Sequence, residues 1–153
     1  MLNRFSRRGF IARLLAFCAW PMLPARAADD QSDSVEVMVH KVTGGAIVQT
    51  GRVKLEVPEF ADNGNSVSLK VSVDSPMTAS DYVKSIHLYG PRNPRPNIAN
   101  FYFGPRAGRA QVSTRVRLGG TQRVLVIAAL SDGSFWSASA DVVVTLSACY
   151  DAT

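Results

Sequence analysis

The amino-acid sequence predicts an all-β sandwich of about seven strands. Three observations lead to this prediction. Short segments alternate apolar and polar residues, as strands with one buried face do. Turn residues separate these segments at fairly regular spacing, which is typical of sandwiches. The 153-residue chain is also 46% hydrophobic and 19% charged, so it is not disordered throughout and has enough apolar material for one core.

The segment before the first clear strand fits two structures. Its valines alternate as in a strand, whereas Val35, Val39 and Val42 would share one face of a short helix. Gly44 follows the segment and suits the end of a helix. The sequence therefore leaves a short N-terminal helix and a strand as alternatives here.

The strands then follow in order. They are predicted at residues 52–57, 66–73, 82–89, 98–103, 110–118, 123–130 and 135–147. The segment 123–130 is mostly apolar, which indicates a central strand. The last strand is expected to bulge or bend near Ser137–Ala140, where small residues replace the apolar alternation.

Turn residues bound these strands. Asn63–Asn65 reads as a turn, and Gly119–Gly120 as a tight turn. The segment 90–97 contains three prolines, which cannot donate to a ladder, so it is a loop. Ser131–Ser134 holds an Asp-Gly pair and predicts a hairpin.

The first 27 residues predict an export signal. Arg7 and Arg8 form a twin-arginine pair, a short apolar stretch follows, and Ala25-Arg26-Ala27 offers a small-residue cleavage site. The apolar stretch is too short to span a bilayer, so a stable membrane anchor is not expected. A lipid anchor on Cys18 is disfavoured by the bulky residue that precedes it. We therefore predict a twin-arginine signal peptide at 1–27, a domain at 28–146, an arm at 147–153 and a periplasmic location.

Charge is unevenly distributed along the chain. The net charge is +5, but five arginines lie in the predicted signal, and residues 28–153 hold 12 basic and 12 acidic residues. This balance argues against nucleic acid as a partner. Residues 82–131 hold eight basic residues and no acid. They are either solvated strand residues or the source of a positive field that guides small anions or an acidic partner.

The predicted mature chain keeps one cysteine, Cys149. A single cysteine cannot form an internal disulfide, and in an exported protein it suggests a reactive thiol or an intermolecular bond. The alternative is a buried, inert cysteine. Its position near the end of the chain favours exposure.

No catalytic constellation is visible in the sequence. His40 and His87 are far apart, and the acids are scattered. His87 falls opposite Ile86 and Leu88 in its strand, which indicates a surface or partner-facing histidine. No metal site and no cofactor are predicted, because one cysteine and two separated histidines lack metal-ligand spacing. An enzyme is the class that the residues support least.

Several sequence runs stand out together. They are VPEFADNGN at 57–65, VDSPMT at 73–78, YVKSIH at 82–87, NPRP at 93–96, VSTRVRL at 112–118 and SDGSFW at 131–136. In this order they resemble the SoxY family, the sulfur-carrier proteins of the thiosulfate-oxidising Sox system. The resemblance covers about residues 35–149.

The resemblance implies an immunoglobulin-like sandwich that is exported by the twin-arginine route and forms a heterodimer with a SoxZ-like protein. The family's flexible C-terminal arm ends in Gly-Gly-Cys-Gly-Gly, and its cysteine attaches the sulfur substrate. A haem enzyme joins thiosulfate to the cysteine, a hydrolase releases sulfate, and in some systems a sulfur dehydrogenase oxidises the remaining sulfur. The carrier itself catalyses nothing. Cys149 is the residue here that matches the family's cysteine.

The arm departs from the family pattern. It reads Ser-Ala-Cys-Tyr-Asp-Ala-Thr at 147–153, without the glycines that make the family's arm slender and flexible. Asp151 would also add negative charge near the sulfur and disfavour the thiolate. Three functions therefore stay open. They are a sulfur carrier loaded at Cys149, a SoxY-like scaffold without carrier chemistry, and a secreted sandwich that dimerises through a Cys149 disulfide.

Overall fold

A computed structural model of the chain describes residues 34–149. The predicted signal at 1–27 and the last four residues of the predicted arm, 150–153, lie outside the described residues. None of the helical structure in the described range is long and apolar enough to cross a membrane.

The described chain contains one helix followed by strands. In chain order the elements are α1 (Val35–Thr43), β1 (Val48–Thr50), β2 (Val53–Glu56), β3 (Phe60–Asn63), β4 (Val67–Val73), β5 (Val83–Tyr89), β6 (Asn97–Tyr102), β7 (Gln111–Val116), β8 (Gln122–Leu130) and β9 (Phe135–Leu146).

The ambiguous first segment is a helix. The Ser34 hydroxyl accepts the N–H of Val37 and caps the start of α1. Gly44 ends the helix with a left-handed φ of 61° and donates its N–H to the His40 carbonyl. The capping residues at both ends therefore outweigh the strand preference of the valines between them.

Two sheets form the predicted sandwich. The strand order is β1-β9-β8-β5-β6 in the larger sheet, with β3 also paired to β9, and β2-β4-β7 in the smaller sheet. The strand β8 is central, as its apolar sequence predicts. The fold-class prediction is confirmed, although nine strands are present in the described residues instead of about seven.

The two unpredicted strands, β1 and β3, are three and four residues long. Both pair with β9 in parallel, so their partner is far away in the sequence. The bulge expected near Ser137–Ala140 is not present, because β9 pairs with β8 without a change of register. Register shifts occur instead in β5, between Leu88 and Tyr89 and between Val83 and Ser85.

The hydrophobic core lies between the two sheets. Alternate residues of β4 are buried there, and they pack in one cluster with buried residues of β5, β8 and β9. The fully buried members of the cluster from the larger sheet include Ile86, Leu88, Val124, Val126 and Val142. Truncating a core side chain of this kind typically costs about 2–5 kcal/mol.

Candidate functional site

The last strand carries the chain to the predicted site residue, Cys149. Val142 and Val144 of β9 are buried, so the strand is anchored in the core almost to its end at Leu146. The Val144 N–H donates to the Thr121 hydroxyl at 3.0 Å, which fixes the strand where its pairing with β8 has ended.

The residues between β9 and Cys149 are held by two distant segments. Gly64 donates its N–H to the Leu146 carbonyl at 2.7 Å and accepts the N–H of Leu118 at 2.8 Å. Ala148 donates its N–H to the Leu118 carbonyl at 3.0 Å, and its side chain is buried. Gly64, Leu118 and residues 146–149 thus form one contact, which we call the arm base.

Gly64 is required sterically in the arm base. A Cβ at this position would overlap the carbonyl oxygen of Leu118 and lie 2.9 Å from the backbone nitrogen of Ala148. Both neighbours are backbone atoms that cannot move aside without breaking hydrogen bonds. Close approach of three backbone segments is the physical reason for a glycine here.

Cys149 is exposed and its thiol is free, whereas its backbone is held. Its N–H donates to the Oδ1 of Asn65 at 3.1 Å. The N–H of Asn65 in turn donates to the Oδ1 of Asn63 at 2.9 Å, which closes a local turn. The arrangement presents the sulfur to solvent from a fixed backbone position, and a thiolate there is able to act as a nucleophile.

Sequence reasoning predicted the Asn63–Asn65 turn but not its contact with the arm. The turn sequence did contain a hint of this contact, because an asparagine side chain readily accepts a hydrogen bond from a backbone N–H. The donor, however, lies 84 residues away at Cys149. The parallel pairing of β3 with β9 and the hydrogen bonds of the arm base bring these two segments together.

A positive side chain lies next to the arm base. Ser147 and Arg92 both lie next to Gly120. A Cβ added to Gly120 would be 3.6 Å from the Ser147 Oγ and 3.9 Å from the Arg92 guanidinium carbon. Arg92 donates to the Thr121 carbonyl at 3.1 Å and forms no ion pair with a carboxylate in residues 34–149. An anionic group on the nearby arm would meet this positive charge.

His87 lies on the face that alternation predicts, opposite Ile86 and Leu88, but it is buried. Its Nδ1 lies 2.8 Å from the Asn100 Oδ1 and its Nε2 lies 2.9 Å from the Ser85 Oγ. The amide oxygen accepts from Nδ1, so in the neutral ring Nε2 accepts the Ser85 hydroxyl proton. The prediction of a surface histidine is therefore wrong, because neighbouring polar side chains satisfy the ring inside the structure.

The described residues bring together no metal-binding group. Within residues 34–149, no three His, Cys, Asp or Glu side chains lie close enough to hold a metal ion. The thiol of Cys149 is thus the only cysteine chemistry that this range presents.

Fold and site together define a small β-sandwich protein whose described part, residues 34–149, presents one exposed cysteine three residues after the last strand ends. The family described as sulfur oxidation protein SoxY matches residues 39–149, which is most of the chain. The chain belongs to the SoxY family. The resemblance seen in the sequence is thereby confirmed.

A solved structure agrees with this assignment. The chain is 25% identical to the sulfur carrier protein SoxY from Chlorobium limicola f thiosulfatophilum, with a TM-score of 0.62, covering 74% of this chain and 97% of that one. A superoxide reductase (neelaredoxin) from Ignicoccus hospitalis is 20% identical with a TM-score of 0.57, covering 63% of this chain and 94% of that one. The latter likeness shows the sandwich fold alone. No curated protein matches the chain in sequence.

Proposed function

We propose that this chain is a periplasmic carrier of thiosulfate and sulfur oxidation that holds sulfur intermediates covalently on Cys149. Membership of the SoxY family and the likeness to a sulfur carrier protein support the general role. The observation that carries the specific proposal is the exposed thiol of Cys149 on a backbone held by Asn65. Partner enzymes perform the chemistry, and the carrier presents the sulfur to them.

The proposed loading step conserves atoms and electrons. The Cys149 Sγ joins the outer sulfur of thiosulfate, the thiol proton is released, and two electrons pass to a haem enzyme. A hydrolase then adds water across the bond between that outer sulfur and the sulfonate group. Sulfate leaves, and the cysteine keeps one extra sulfur as a persulfide. Arg92 and Ser147 both border Gly120, and the charge of Arg92 would attract the negative sulfonate group of the first adduct.

A SoxZ-like heterodimer is part of this proposal. Phe60 of β3 and Val143 of β9 lie directly opposite each other, and both are exposed. Paired exposed apolar side chains on an outer strand suit coverage by a partner. Val143 belongs to the strand that leads to Cys149, so a partner here would cover the outer face of that strand.

Intact mass spectrometry tests the carrier proposal. Mature protein is purified from the periplasm after thiosulfate feeding and measured with and without reductant. We expect reductant-sensitive adducts of one sulfur or one thiosulfate unit on the wild type and none on Cys149→Ser. An unmodified wild-type mass under every feeding condition would overturn the proposal.

Exposure of the thiol is testable separately. A maleimide reagent should label Cys149 of the native mature protein within minutes and as fast as it labels the denatured protein. Labelling that needs denaturation would contradict an accessible sulfur. The variant Cys149→Ser is the blank.

Export is tested through the twin arginines. Replacing Arg7 and Arg8 together with lysine should leave the protein unprocessed in the cytoplasm, because the twin-arginine route reads the pair. Fractionation and the mass of the processed N-terminus measure this. Normal periplasmic accumulation of the double variant would refute this route.

A scaffold without carrier chemistry is the second candidate, and one observation favours it. The side chain of Ala148 is buried in the arm base, where the family's arm has glycine. The arm is therefore less free near its sulfur than a glycine arm would be. The scaffold predicts partner binding with no adduct, and replacing Ser147 and Ala148 with glycine should then restore loading.

A further inference from the structure

The open side of the sandwich holds a positively charged cavity that the carrier function does not use. It lies between the edge strands of the two sheets, β6 and β7. Its volume is about 420 Å³, and its polar lining consists of Asn93, Arg95, Asn97, Thr114, Arg115 and Arg117. Ile98, Ala99 and Val116 supply the apolar part of its lining.

The arginines of this cavity carry unneutralised charge. Arg95, Arg115 and Arg117 form no ion pair with any carboxylate of residues 34–149. The ion pairs in that range involve other basic residues, as with Arg123 and Asp141 at 2.8 Å. The whole segment 82–131 lacks acidic residues. A small anion in the cavity would therefore meet positive charge that no carboxylate of residues 34–149 neutralises.

One wall of the cavity is fixed. Asn93 is buried, and its amide group donates to the Arg117 carbonyl at 2.9 Å. Its Oδ1 accepts the Gly119 N–H at 2.8 Å and the Gln122 Nε2–H at 2.9 Å. These bonds hold the backbone of Arg117 in place before any ligand enters, which lowers the entropy lost on binding.

The cavity suits a small hydrated anion. At roughly 30 Å³ for each water molecule, it has room for about a dozen waters or for an oxyanion with part of its hydration shell. Guanidinium groups match the paired oxygens of tetrahedral oxyanions geometrically. Its limited volume favours a small ligand over the surface of an acidic protein.

We propose that this cavity binds a small divalent tetrahedral oxyanion without covalent chemistry. That the oxyanion contains sulfur, as sulfate and thiosulfate do, rests on the proposed function. The site goes beyond the covalent role of Cys149 and does not require its thiol. It is nevertheless linked to the arm base, because Asn93 bonds Arg117 and Gly119 on either side of Leu118, whose carbonyl holds Ala148.

An NMR titration tests the site on the full-length mature protein carrying Cys149→Ser, in which covalent loading cannot contribute. Sodium thiosulfate and sodium sulfate are added in separate series at constant ionic strength, with sodium chloride as the balancing salt. We expect saturable shifts of the amide signals of residues 95, 97–99 and 114–117 in both series. A preference for thiosulfate would identify the substrate as the ligand, and equal shifts would indicate general dianion binding. Shifts that chloride reproduces would overturn the proposal.

Matched arginine variants give the second readout. The double variant Arg115→Gln, Arg117→Gln should weaken the apparent affinity by about fivefold or more, because two exposed charges leave the site. The double variant Arg106→Gln, Arg109→Gln removes the same charge from the exposed loop outside the cavity and should weaken it by less than about twofold. Equal losses in both variants would mean that net charge alone attracts the anion and would overturn the site. Unchanged amide signals outside the cavity verify that each variant is folded.

Discussion

The arm base and the arginine-lined cavity share the segment around Leu118 but are built in opposite ways. In the arm base, three backbone segments meet so closely that Gly64 has no space for a side chain. In the cavity, long arginine side chains border about 420 Å³ of space. The arm base fixes the position of the backbone that leads to Cys149, whereas the arginines of the cavity provide positive charge.

The difference separates two tasks that a carrier needs. In the proposed carrier role, the arm that bears the sulfur must leave the domain at a defined position, and buried backbone hydrogen bonds fix such a position because each group needs its own partner. Binding of a small anion depends instead on side-chain charge, which acts over about 10 Å at moderate ionic strength, beside a wall that Asn93 holds in place. The predictions below test whether the two regions really differ in this way.

The largest expected effect comes from Gly64→Ala. The added methyl group would overlap the Leu118 carbonyl, so the free energy of unfolding should fall by about 2–3 kcal/mol. Gly104→Ala is the matched control, since nothing lies within 4 Å of its Cβ position. Urea denaturation measures both. Equal losses in the two variants would contradict the close contact at Gly64.

A smaller, local effect is expected from Asn65→Ala. The variant removes the acceptor of the Cys149 N–H, so hydrogen exchange of that amide should speed up about tenfold, while global stability changes little. Asn65→Asp keeps an acceptor oxygen and should keep slow exchange. If both variants exchange like the wild type, Asn65 does not hold the arm base.

The cavity should respond differently to mutation. Replacing Arg115 and Arg117 with glutamine should leave the denaturation midpoint unchanged or raise it slightly, because both are exposed and lack ion pairs in the described range. A clear loss of stability would mean that these side chains pack as tightly as the arm base does. The two regions would then not differ in how tightly they are packed.

The smallest effect concerns pH and lies in neither region. Hydrogen bonds from the hydroxyl and the N–H of Ser134 lower the pKa of Asp132 in the hairpin below its ordinary value of 3.8. Since the folded pKa is the lower one, this stabilisation is present above about pH 4 and is lost as the pH falls further. Asp132→Asn should slightly flatten the acid limb of a plot of denaturation midpoint against pH. An unchanged acid limb would show that the hairpin bonds contribute nothing to acid stability.

The sequence predicted the elements that have their own periodicity. The strands β4, β5 and β8 are seven to nine residues long and alternate or are mostly apolar, so their patterns are visible. The strands β1 and β3 are too short for a pattern, and they exist because β9 offers a free edge. Whether such short segments form strands depends on tertiary pairing, which the local sequence pattern does not show.

In the candidate site, too, the local features were predicted and the long-range contacts were not. Cysteine counting singled out Cys149, and the structure places that residue at the surface. The role of Gly64 could not be predicted, because a glycine within Asn-Gly-Asn is sufficiently explained by a turn. His87 was misplaced for a related reason. Alternation assigned its face correctly, but the partners that satisfy its ring include Asn100 of the neighbouring strand β6.

The pairing of β9 has a mechanical consequence for the arm. The strand is bonded to β8 on one side and to β1 and β3 on the other. A tug on the C-terminal residues along the strand axis would load these ladders in shear, with many hydrogen bonds sharing the force, because ladder bonds run across the strands. The few bonds of residues 146–149 would yield first. An enzyme drawing the arm into its active site would thus peel off only this short tether, while the sandwich acts as its anchor.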